Sequence, residues 1–108
     1  MNSSGWLRSI MAVNMEAEKF LIHVADIIGK EFEEDVLVLE VLKGEYMVVF
    51  KEYSTIISKD MVEKLKMEFD PYLVDKHILN DFIKQGFEFD KRRSQYIRYV
   101  YGVIDVDY

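Results

Sequence analysis

Apolar positions recur first at helical and then at strand spacing. Ala17, Phe20, Leu21, Val24, Ile27 and Ile28 fall three and four residues apart and make one stripe, while Glu18, Lys19 and Asp26 fall elsewhere. Asn14 suits an N-cap, Glu16 and Glu18 suit the positive end of a helix dipole, and Gly29-Lys30 suits a helix end. The pattern therefore predicts a helix between these signals. Ahead of it, Leu7, Ile10 and Met11 fit the helical period behind a weak leader. Residues 1–13 read as an arm, flexible or partly helical, and residues 14–108 as a single domain.

The period changes at Val36. Val36 to Leu42 is almost continuously β-branched or bulky, Lys43-Gly44-Glu45 interrupts, and Tyr46 to Phe50 resumes, which predicts a β-hairpin. A run this apolar implies cover on both faces, with a helix on one side and a partner chain as the candidate on the other. Thr55 to Ile57 reads as a short third strand after a turn at Tyr53-Ser54. Ser58 suits the N-cap of the next helix, with Leu65 and Phe69 in its stripe. Asp70-Pro71 reads as the start of another, running to about Gln85 with Gly86 as terminator. Phe87-Glu88-Phe89 alternates like a short strand. The tail from Tyr96 to Val106 is rich in β-branched and aromatic residues and reads as one long strand bent at Gly102. The order α-β-β-(β)-α-α-β-β predicts an α+β domain. It would hold a small antiparallel sheet of about three to five strands, with about three helices mainly on one face.

Composition narrows the class. Leu, Ile, Val and Phe make up 37 of 108 residues, with one proline and five glycines. That content supports a packed core and excludes collagen-like and low-complexity chains. With no cysteine, disulfides, thiolate catalysis and cysteine-ligated zinc are excluded, and a cytoplasmic location is expected. Charge-free stretches fall far short of the about 20 apolar residues that a membrane span needs. The net charge is −6, and residues 31–52 hold seven acids against two bases whereas residues 91–108 hold two acids against four bases. An acidic middle disfavours a phosphate backbone as ligand and favours a basic protein partner.

Candidate chemistry is sparse. His23 and His77 are the only side chains with an ordinary pKa near neutrality, and neither sits in a metal-binding or paired-carboxylate motif. No catalytic residue, cofactor or metal is assigned. Asp105 and Asp107 would share a strand face and could join a cation site, but no acid-and-glycine loop supplies the remaining oxygens. Glu31, Glu33, Glu34 and Asp35 with Phe32 form the densest acidic run. It reads by default as a solvated loop, and more sharply as a docking loop anchored by Phe32, with Glu45 joining the surface. Arg92, Arg93, Tyr96 and Arg98 form the basic and aromatic cluster, an alternative interface for single-stranded nucleic acid or for self-pairing of the tail strand. The leading expectation is a non-enzymatic interaction domain of inhibitor or immunity type that occludes a basic site on a partner. The alternatives are a homodimer through the C-terminal edge strand and an RNA- or single-stranded-DNA-binding module.

Overall fold

A computed structural model describes residues 3–103. In chain order they form α1 (Ser3–Asn14), α2 (Ala17–Phe32), β1 (Val36–Leu42), β2 (Glu45–Phe50), β3 (Tyr53–Ser58), α3 (Lys59–Lys66), α4 (Leu73–Lys84) and α5 (Gln95–Tyr101). The class is α+β with a three-stranded antiparallel sheet in the order β1-β2-β3. Five helices rather than three accompany it among the described residues.

The hairpin forms where alternation and turn agree. Val38 faces Val48 and Leu39 faces Met47, and Gly44 turns the chain at φ 76°. The register slips once, between Glu40 and Leu42. The strand-to-strand turn before β3 lies at Lys51-Glu52, with Lys51 at φ 54°, rather than at Tyr53-Ser54, because Tyr53 already pairs with Phe50. Period-2 geometry sends Tyr46, Val48, Phe50, Thr55 and Ile57 inward, and all five are buried. Helix α2 covers them with Phe20, Leu21, Val24 and Ile28, and α4 with Val74, Ile78, Leu79 and Phe82. The opposite sheet face carries Leu37, Leu39 and Ile56, about half exposed, with no helix over it among the described residues.

Several boundaries differ from the sequence reading. Asn14 ends α1 instead of capping α2, whose N-cap is Glu16. The arm is helical through Asn14. Helix α2 runs past Gly29 to Phe32, since Ile28 and Phe32 continue its inward stripe. The Ser58 cap is as expected, its hydroxyl accepting from the Met61 N–H at 3.0 Å. Asp70 instead accepts from the Tyr72 N–H at 2.9 Å, and α4 begins two residues after Pro71.

The largest correction is the tail. Residues 95–101 are helix, not strand, and residues 87–89 pair with no strand among the described residues. Ser94 accepts from the Ile97 N–H at 3.1 Å and Gly102 closes the helix at φ 62°, so both ends carry cap signals that outweigh weak propensity. Ile97 and Val100, three apart, are the buried pair. The expected strand residues 104–106, and Asp105 and Asp107, lie outside the described residues. Ser94→Ala is expected to cost about 1 kcal/mol by loss of this cap. A urea midpoint unchanged from the parent would show that α5 does not depend on it.

Candidate functional site

The acidic run folds around the C-terminal end of α2. Glu33 adopts the left-handed conformation at φ 56°, and the Glu33 and Glu34 N–H groups both donate to the Gly29 carbonyl. The chain thereby reverses across Gly29, where an added Cβ would lie 2.8 Å from the Glu34 carbonyl oxygen. Only glycine leaves room for this crossing.

The reversal shapes an open cavity of about 380 Å³ lined by Ala25, Asp26, Gly29, Lys30, Glu33, Glu34, Asp35 and Val36. Four carboxylates thus face one lysine, at the end of α2 where the helix dipole is negative. Lys30 is engaged by Asp26 at 2.9 Å, and Glu34 reaches Lys51 only at 4.0 Å. Among the described residues Glu33 and Asp35 make no ion pair. A cationic group entering here meets more carboxylates than lysines.

Two expected members of this surface are elsewhere. Phe32 is not an exposed anchor. Its ring is half-buried among Phe50, Phe87 and Phe89, at centroid distances of 5.8, 5.0 and 5.3 Å, with the Arg93 guanidinium 4.5 Å from its centre. Continuing the α2 stripe four residues beyond Ile28 was the signal that would have placed it inside. Glu45 stands at the hairpin tip, paired with Leu42, while Asp35 precedes the Val36–Phe50 end of the same ladder. At about 3.4 Å per residue the two lie roughly 20 Å apart along the strands.

The basic cluster is likewise divided. Arg93 binds Glu31 at 2.7 Å, and Glu31 also accepts from the Ser94 hydroxyl at 2.9 Å. Arg98 donates to the Arg92 carbonyl at 3.2 Å. The Tyr96 hydroxyl donates to Asp75 in the interior. With α5 helical, Tyr96, Arg98 and Val100 offer no strand edge for self-pairing and no flat stacking strip.

The sequence reading missed an interior polar network. Arg8, buried in α1, forks onto Asp75 of α4 at 2.5 and 2.9 Å and is held between the Phe20 and Tyr72 rings. Burial works against its charge, but hydrogen bonding and attraction to Asp75 outweigh that and raise its pKa. Burial and the Asp75 charge push the Tyr96 hydroxyl well above its ordinary range. A lone arginine in an otherwise uncharged helix, and an aspartate beside Val74 on an apolar stripe, were the available signals.

A second cavity, about 350 Å³, lies beside this network and includes His23, whose pKa is lowered by burial and by Arg8. Among the described residues the His23 and His77 side chains make no hydrogen bond. Among the described residues no group of three or more histidines and acids is placed to hold a metal ion, and no helix is long and apolar enough to cross a membrane. No family model matches this chain, and no significant match is found among curated proteins or solved structures.

Proposed function

We propose that the protein is a non-enzymatic interaction domain of inhibitor or immunity type, which receives a basic side chain of a partner macromolecule in the acidic cavity at the end of α2. The observation that carries this reading is the excess of carboxylates in a concave site, with Glu33 and Asp35 unpaired among the described residues. Long-range attraction from a net charge of −6 speeds encounter, and the cavity then fixes register. Occlusion follows from the bulk of the domain seated on the partner's basic site. Nucleic acid is the less supported ligand, because Arg93 and Tyr96 are already committed to Glu31 and Asp75.

The test is affinity capture from the native host with the wild type and with a Glu33→Lys/Glu34→Lys/Asp35→Lys variant as baits. The expected result is a basic protein held by the wild type at about 0.05 M salt and lost at about 0.5 M, where charges are screened within a few ångströms. Charge reversal should weaken the purified pair about tenfold or more at low salt. A partner held equally by both baits would remove the cavity from the account.

A further inference from the structure

We propose that β1 is the contact surface for a second copy of this chain, the two strands pairing antiparallel about a two-fold axis at Leu39 to make one six-stranded sheet. Strand β1 is an edge, and its backbone bonds only to β2 among the described residues. Its outer row of N–H and C=O groups is therefore open for pairing.

The devices that usually blunt such an edge are few here. The strand has no lysine and no proline, and Leu37, Leu39, Val41 and Leu42 are 54%, 46%, 40% and 67% exposed. Its one charge, Glu40, turns back to accept from the Gly44 N–H at 3.2 Å. The bulge between Glu40 and Leu42 is displaced from the strand centre toward the hairpin tip.

What selects a second copy is the order of residues. A two-fold axis at Leu39 centres the overlap on the whole of Val36–Leu42. It sets Leu37 toward Val41 of the other copy and Leu39 against its equivalent, so exposed apolar side chains cover one another. Glu40 then meets Val38, not a second carboxylate, and Asp35 reaches the end where Lys43 of the other copy leaves its strand. The same operation keeps both uncovered sheet faces on one side.

A seven-residue edge is roughly 23 Å long and falls short of the about 800 Å² per partner of a standard interface. The dimer is accordingly concentration-dependent. Both copies carry −6, so added salt strengthens this association, whereas it weakens docking of a basic partner.

Sedimentation of the wild type from about 1 µM to about 1 mM should show mass rising from monomer toward dimer, and more so in added salt. Leu39→Lys and Leu39→Glu, at an exposed position, should each weaken self-association about tenfold or more by placing like charges opposite one another. Circular dichroism checks that both remain folded. An equimolar mixture of the two should restore association as a heterodimer. A wild type that stays monomeric overturns the proposal and leaves the edge to a strand from another protein. Weakening by salt, a Leu39→Lys variant that dimerises like the wild type, or failure of the folded mixture to associate overturns it equally.

Discussion

Asp75→Ala is expected to destabilise the protein by about 3–5 kcal/mol, a large share of the roughly 5–15 kcal/mol that holds a domain of this size. The cost arises at Arg8. Removing the carboxylate leaves the guanidinium of a residue that is only 5% exposed, facing the Phe20 and Tyr72 rings with no counter-charge. Tyr96 loses the acceptor for its hydroxyl in the same change. The buried pair does not itself supply that energy, since desolvating both ions offsets most of their attraction. Arg8→Met combined with Asp75→Leu should therefore recover most of the loss, short of about 1 kcal/mol for the stranded tyrosine hydroxyl. Urea denaturation checks both variants. The single tryptophan, Trp6, lies on α1 two residues before Arg8, so its fluorescence separates release of that helix from global unfolding. A midpoint for Asp75→Ala within about 1 kcal/mol of the parent would show that Arg8 finds water or another partner.

Gly29→Ala should also destabilise, by about 2 kcal/mol, although alanine at an ordinary helical position is favoured over glycine by about 1 kcal/mol. The sign reverses because the new methyl would stand 2.8 Å from the Glu34 carbonyl oxygen. The nearby contact is backbone, which cannot swing aside as a long side chain would. Relief requires displacing the Glu33-Glu34 turn, and with it the carboxylates of the acidic cavity. Affinity for a basic partner should fall along with stability. If Gly29→Ala is more stable than the parent, the chain does not cross the helix as closely as described.

The same glycine shows how far the residues alone could be read. Its place near the end of a stripe suggested a helix terminator, which is a common use of glycine. Here it serves instead as a gap for a crossing strand of backbone, and only the path of residues 33–36 reveals that. The β1-β2 hairpin was legible because alternation, a turn at Gly44 and β-branched content all pointed one way. Helix α5 was not, because Tyr, Ile and Val at 96–101 favour strands, and two local caps at Ser94 and Gly102 decided otherwise. Of the candidate site, the exposed carboxylates of Glu33, Glu34 and Asp35 were legible as a charge run. Their concavity was not, since Asp26 and Lys30 enter it from the preceding helix. The Arg8–Asp75 pair joins residues 67 positions apart, beyond any local pattern.

The strand order β1-β2-β3 has a consequence for how the chain reaches this state. Among the described residues each strand pairs only with its neighbour in sequence, so these sheet closures span short loops and cost little chain entropy. Topologies dominated by such local pairing assemble rapidly. The clasp between the first helix and α4 is the opposite case, a distant closure that gains its reward only once the hairpins and their covering helices already stand. Assembly by this route would finish at the amino-terminal end, with the meander serving as the template on which the rest condenses.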